Sequence, residues 1–303
     1  MCAFWPNSIA SRMQNEWKVT PEEAGVKLVS FLQIKLGKRG HFSGRALKKR
    51  IEQNGCRING RPERFASTSL AAGDIVTLDS FSSQLALPIF DLQRVLYQDD
   101  LLLVYNKPPG ITCDEKGILA QLRMYERSLQ LVHRLDKDTT GLLILAKSEA
   151  VRAYFVGEFK QFQVGKSYLA LVEGRFKEKK GSIENALGPQ KTTGNQVFWK
   201  VVEAQAGLYA YTDWEVVQNF TSSALVRCFP KTGRTHQLRV HMASLGHPII
   251  GDQRYNHTPY PSVSAPRCLL HAESVRFRHP KKGLLEFFAP LPSDFEEVLK
   301  ELK

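Results

Sequence analysis

The stretch His133-Arg134-Leu135-Asp136-Lys137-Asp138-Thr139-Thr140-Gly141 is polar and runs straight into five apolar residues, 142–146. A short apolar run behind a glycine reads as a buried strand, and the polar stretch is then the loop that feeds it. A carboxylate held on such a loop and flanked by cations can stay ionised and act as a positioned nucleophile. Asp136 is the candidate. On residue types alone, the alternative is a turn residue paired with Arg134 or Lys137.

Outward from this loop, strand-like runs occupy 101–105, 168–172, 197–202, 208–217 and 224–228. Ser148 reads as the cap of a helix with Val151, Tyr154, Phe155, Phe159 and Phe162 on one stripe, and Ser293 with Glu296 as a capping box for a final helix. These elements predict an α+β domain over 89–303 with a mixed, mostly antiparallel sheet.

The leading part of the chain differs. Thr20, Pro21 and Glu23 read as the start of a helix carrying Ala24, Leu28, Phe31, Leu32 and Leu36. A second helix is expected from near Ser43 to Asn54-Gly55, burying Ala46, Leu47 and Ile51 and turning Lys48, Lys49 and Arg50 outward. A strand at 56–58 meets an Asn59-Gly60 turn, and another follows at 75–78. Residues 19–79 thus form a small helical and hairpin domain, with 80–88 as linker.

Charge marks the same region. The 303 residues carry 42 Lys and Arg against 30 Asp and Glu, a net +12. Nine basic and two acidic residues fall within 31–63, so +7 is concentrated there. A focused basic patch suits a polyanion, because neutralised phosphates release condensed counterions.

Several chemistries find no motif. Gly165-Lys166-Ser167 lacks the upstream glycine of a phosphate loop, and no G-x-S-x-G or H-E-x-x-H occurs. His236, His241 and His247 cluster but are interleaved with Arg234 and Arg239, which points to structural or RNA hydrogen bonds rather than a metal site. The five cysteines contain no C-x-x-C pair, so neither a thiolate metal site nor a disulfide framework is signalled. No cofactor is expected. No apolar run approaches a membrane span of ~20 residues, and residues 1–13 lack the apolar core of a signal peptide. A cytoplasmic monomer is the default expectation.

Four ordered motifs resemble the RluA-type pseudouridine synthases. His133–Gly141 resembles the family's H-R-L-D-x-x-T-x-G motif, with Thr140 where serine is frequent. Asn106-Lys107-Pro108-Pro109-Gly110 resembles its first motif, and Lys166-Ser167-Tyr168-Leu169-Ala170 the motif of its active-site tyrosine. Its late basic motif is matched by Lys231-Thr232-Gly233-Arg234-Thr235-His236-Gln237-Leu238-Arg239-Val240-His241, extending to Gly251-Asp252. The stretch 114–130 is shorter than is usual in the family. Residues 19–78 resemble the S-four-like RNA-binding domain, with Gly44, Arg45, Lys48, Lys49, Asn54, Gly55, Asn59, Gly60, Gly73 and Asp74 carrying the pattern.

The resemblance implies isomerisation of specific uridines, most simply in large-subunit ribosomal RNA, with Asp136 as nucleophile. Tyr168 would stack on uracil and assist proton transfer, its alternative being a core residue. Arg239 would hold Asp136 ionised, and Leu238 would wall the pocket. Arg134 would fill the space left by the base or contact phosphate. His133 is a further substrate-binding candidate, and Lys107 either reaches phosphate or shapes its turn. Arg45, Lys48, Lys49, Arg50 and Arg57 would bind RNA. A non-catalytic RNA-binding protein on the same scaffold and a metal-dependent RNA hydrolase are the competing classes.

Overall fold

A computed structural model describes residues 14–36, 44–52, 55–63, 65–79, 91–191, 197–259 and 261–302. The chain divides into two compact units, 1–87 and 88–303. The expected linker, 80–88, lies outside the described residues, as does the segment 37–43.

In the first unit the chain runs β1 (Gln14–Lys18), α1 (Leu28–Leu36), α2 (Gly44–Glu52), β2 (Cys56–Ile58), β3 (Arg61–Pro62) and β4 (Ile75–Asp79). The sheet order is β1-β4-β2-β3, antiparallel throughout. Leu28, Phe31, Leu32, Leu47, Ile51, Val76 and Leu78 make its core. Asn59 and Gly60 both take left-handed angles, φ 51° and 76°, as a tight hairpin turn requires.

The structure corrects the first helix. Pro21–Glu23 is a single 3-10 turn closed by a capping box with Thr20, and α1 begins later, at Leu28. Gly25 breaks the helix with φ +82°, and its N–H donates to the Leu70 carbonyl instead. The strand β1 was not expected, because Gln14, Asn15 and Glu16 are poor strand formers.

The second unit runs β5 (Val95–Gln98), β6 (Leu102–Lys107), α3 (Ile118–Leu122), β7 (Gln130–Leu131), β8 (Thr140–Ala146), α4 (Glu149–Lys160), β9 (Gly165–Glu173), β10 (Lys180–Lys191) and β11 (Val197–Val202). It continues through β12 (Leu208–Asn219), β13 (Ser223–Pro230), α5 (Gln237–Ser244), β14 (Leu270–His279), β15 (Gly283–Phe288) and α6 (Ser293–Glu301). One sheet of eleven strands has the order β11-β10-β12-β13-β9-β14-β8-β6-β5, with β15 beside β14 and β7 beside β8. Among the described residues its pairings are antiparallel except for the short β14–β8 contact. The chain is therefore an α+β protein whose large sheet is mostly antiparallel.

Strand alternation sends β6 and β8 side chains to two cores. Leu102, Val104, Leu142 and Ile144 pack with Val151 and Phe155 of α4. Leu103, Tyr105, Leu143 and Leu145 pack with Ile118, Leu119 and Leu122 of α3. Farther along the sheet, α5 contributes Leu238 and Met242 to a third core, and α6 gives Phe295 and Val298 to a fourth. Ser148 caps α4 by accepting from the Val151 N–H at 3.3 Å. The expected Ser293–Glu296 box is absent: Pro292 is the cap residue, and its carbonyl accepts from Phe295 and Glu296. Phe162, expected on the buried stripe of α4, lies beyond the helix end at φ +59° and is exposed.

Gly141 fixes the crossing of β8 and β14. Its φ is +105°, and a Cβ placed there would lie 2.1 Å from the Ala272 carbonyl oxygen. Only glycine can hold this close backbone approach.

Candidate active site

Asp136 sits on the loop between β7 and β8, and the loop is gripped on several sides. Leu135 is buried against the α3 core, and its N–H donates to Cys113 Sγ at 3.4 Å. Lys107, at the end of β6, is fully buried; its Nζ donates to the carbonyls of Pro108, Ile111 and Lys137 at 2.9, 3.0 and 3.0 Å. Arg267 donates to the Asp138 carbonyl at 3.1 Å, and its guanidinium is held by Asp294 of α6 at 2.6 and 2.8 Å. Two cations thus hold the peptide groups just beyond Asp136.

Opposite the loop stands the turn that leads into α5. The Gln237 side chain ties it together. Its Oε1 accepts from Thr232 Oγ1 at 2.6 Å and from the Arg234 N–H at 3.0 Å, while its Nε2 donates to the Tyr211 carbonyl at 3.0 Å. Arg239, two residues on, points one amino group at Asp136: Nη1 to Oδ2 is 3.2 Å. The other two guanidinium donors go to Asp252, Nε to Oδ2 and Nη2 to Oδ1, both at 2.7 Å. Asp252 has no exposed side-chain surface. Its Oδ1 also accepts from the Arg254 N–H at 2.9 Å. Burial opposes the charge on Arg239, but the Asp252 hydrogen bonds and charge outweigh it and hold the guanidinium protonated.

A cleft of about 100 Å³ lies between loop and turn, lined by Arg134, Asp136, Tyr168, His236, Leu238 and Arg239 among others. Tyr168 stands on β9. Burial, and then the charge of Asp136, raises the pKa of its phenol far above the ordinary value, so it enters any reaction protonated. Lys166 lies two residues earlier on the same face of β9 and also lines the cleft. Burial lowers its pKa to about 8. Arg134 is exposed at the cleft, and Leu238 is buried in its wall.

Two sequence candidates face elsewhere. Lys107 spends its donors on three backbone carbonyls and does not line the cleft, so it shapes the turn and braces the loop that carries Asp136. His133 turns inward: its Nε2 accepts from the Ile144 N–H at 2.9 Å, and its ring lies 4.8 Å from Phe159. Burial, aided by Lys166, lowers its pKa to about 3. A ring that accepts a strand N–H and packs on phenylalanine is not presented to a substrate.

The cluster of histidines also separates. His241 is buried against Thr212 and Asn185. His247 stacks on Phe176 at 3.9 Å. His236 alone of the three faces the cleft, its Nε2 3.9 Å from Asp136 Oδ2. Residue reasoning did not assign His236, Asp252, Tyr255 or Lys166 to the site. For Lys166 the two-residue spacing from Tyr168 was the available signal.

On the first unit, Lys48 is exposed on α2, while Arg50 and Arg57 are half-buried. Arg50 is thus not turned fully outward as the helical pattern predicts. The side chains of Arg45 and Lys49 lie outside the described residues. Lys35 is already paired with Glu23 at 2.8 Å.

Comparison with known proteins places this arrangement. The family model described as RNA pseudouridylate synthase matches residues 101–244, which contain Asp136, Tyr168 and Arg239. Ribosomal large subunit pseudouridine synthase C of Vibrio vulnificus is 32% identical, with 94% of this chain and 95% of that protein covered. Ribosomal large subunit pseudouridine synthase D of Nitrosomonas europaea is 35% identical over 229 residues, 69% of this chain and 65% of that protein. The solved structure of human RNA pseudouridylate synthase domain containing 4 superposes with a TM-score of 0.58 at 26% identity, over 69% of this chain and 93% of that one. The chain belongs to the RNA pseudouridylate synthase family, in its RluA-type branch.

Proposed function

We propose that this protein isomerises specific uridines to pseudouridine in large-subunit ribosomal RNA, with Asp136 as the nucleophile. The observation that carries the reading is the single hydrogen bond from Arg239 Nη1 to Asp136 Oδ2, at 3.2 Å, in a cleft shared with Tyr168. The substrate follows from the relatives, which are named as large-subunit ribosomal enzymes.

Isomerisation breaks the bond between N1 of uracil and C1′ of ribose and forms one from C5 to C1′. One proton leaves C5 and one reaches N1, so the reaction is redox-neutral. Arg239 aims Asp136 through a charge-assisted hydrogen bond. Tyr168 stacks on the uracil and offers a protonated phenol to the base. Leu238 supplies an apolar wall. Arg134, exposed at the cleft, occupies the space of the extruded base or meets phosphate. The base has to leave its stack first, at a cost of a few kcal/mol, so loops and bulges are favoured targets.

The first unit serves as an S-four-like RNA handle. Its basic stretch adds backbone affinity and placement rather than chemistry. The deciding experiment is Asp136→Asn, assayed on an unmodified transcript of large-subunit ribosomal RNA. Loss of pseudouridine formation with retained RNA binding is expected. Turnover at the normal rate would overturn the assignment. Mapping pseudouridines across total RNA with and without the gene then names the target.

A further inference from the structure

His236 precedes α5 in a left-handed conformation, φ +56°, which a non-glycine residue adopts at a cost. Its two ring nitrogens face different partners. Nε2 faces Asp136 Oδ2 at 3.9 Å, and Nδ1 lies 2.8 Å from the hydroxyl of Tyr255. The same hydroxyl oxygen is 3.0 Å from the backbone N of Trp199, on the edge strand β11.

These contacts assign the protons. A backbone N–H can only donate, so Trp199 occupies a lone pair of the Tyr255 oxygen. Among the described residues, the acceptor within reach of the phenol hydrogen is then Nδ1 of His236. A neutral imidazole that accepts at Nδ1 carries its proton on Nε2. The N–H of His236 is thereby turned toward the carboxylate of Asp136. Burial keeps the ring neutral, reinforced by the Arg239 and Arg254 charges and opposed by Asp136 and Asp252.

Tyr255 has a second contact. The guanidinium of Arg239 lies over its ring, 5.0 Å from the centroid. One side chain therefore touches both Arg239, hydrogen-bonded to Asp136 Oδ2 at 3.2 Å, and His236, whose Nε2 faces the same oxygen at 3.9 Å.

We propose that Tyr255 is a positioning residue of the active site: its hydroxyl fixes His236 in the neutral tautomer that turns Nε2–H toward Asp136, and its ring seats Arg239. This rests on the reading of Asp136 as nucleophile. Both contacts fall on Oδ2. A neutral donor held beyond full hydrogen-bond distance leaves the carboxylate nucleophilic, and it strengthens when the carboxylate departs again as an anion. An imidazolium there would compete for the same electron pair.

The test combines kinetics with a signature that a purely structural role would not move. Tyr255→Phe keeps the ring and removes the hydroxyl. On an unmodified large-subunit ribosomal RNA transcript labelled with tritium at uracil C5, release of tritium to water should slow about tenfold, the value of roughly one hydrogen bond, with KM unchanged. His236→Leu should slow it further, and His236→Gln, which restores a side-chain N–H, should recover most of the loss. Nitrogen-15 spectra of the histidine rings should show His236 as the Nε2–H tautomer in the native protein and as a mixture in Tyr255→Phe. Tyr255→Phe with native kcat, or an Nδ1–H tautomer in the native protein, would overturn the proposal. Asp136→Asn run alongside separates the two readings. If it stays active, the nucleophile falls and the donor loses its purpose. If it is dead while Tyr255→Phe is native in rate, the positioning role falls alone.

Discussion

Asp252 holds Arg239 through two hydrogen bonds of 2.7 Å and leaves one guanidinium nitrogen to reach Asp136. The ion pair that satisfies Arg239 is thus with Asp252, and Asp136 receives one longer hydrogen bond. One guanidinium is thus shared between two carboxylates, and Asp136 has no dedicated partner in it.

Replacing Asp252 by Asn removes the charge and one acceptor while keeping the shape. A hydrogen bond to a charged group is worth about 1.5–3 kcal/mol, which translates to a kcat lower by ~10–100-fold if Arg239 loses its aim. Asp252→Ala should also cost fold stability, by about 3–5 kcal/mol, because it strands a buried guanidinium. Denaturant unfolding and single-turnover rates on both variants separate the two effects.

His133 gives a pH dependence with a definite sign. Its folded pKa is lowered to about 3 by burial, against about 6.5 in an unfolded chain. Between those values the unfolded state binds more protons, so the stability that His133 contributes is present above pH ~6.5 and falls as the pH drops toward 3. At pH 5 the contribution should have fallen by about 2 kcal/mol. Urea unfolding at pH 7 and pH 5, with His133→Gln as reference, measures it. Equal pH slopes in the two proteins would exclude His133 as the titrating group.

Lys48 is an exposed cation on α2 and tests the RNA handle. If it contacts one phosphate, Lys48→Ala should weaken RNA binding across sequences and reduce the salt slope by about one. Titrations at several salt concentrations read the slope directly. An unchanged slope would move the phosphate contact off this face.

The reacting loop and its partners were legible because their chemistry is local. Asp136 stood out on residue types as a loop carboxylate flanked by cations, Tyr168 and Arg239 through the motifs' resemblance to a family, and the structure brings the three to one cleft together with Arg134 and Leu238. Lys107 and His133 belong to the same motifs but face inward. Nothing in a linear motif says which side of a strand end a side chain takes, and in both cases a backbone partner decides it: three carbonyls for Lys107, the Ile144 N–H for His133. Asp252 and Tyr255 escaped because they act through Arg239 and His236 from a loop whose proximity exists only after folding. In the fold, β6, β8, β9, β11, β12 and β13 followed from apolar runs. β10 did not, since Lys180, Ser182, Glu184 and Gln190 dilute its pattern, and β14 mixes buried histidines with exposed arginines.

The brace on the Asp138 carbonyl has a consequence at long range. Arg267 holds that carbonyl while its own guanidinium is held by Asp294, in the first turn of α6. The loop that carries Asp136, near the middle of the chain, is thus tied through Arg267 to a helix some 150 residues later in the sequence. Loosening α6 would therefore free one of the two cations that hold the backbone just beyond Asp136.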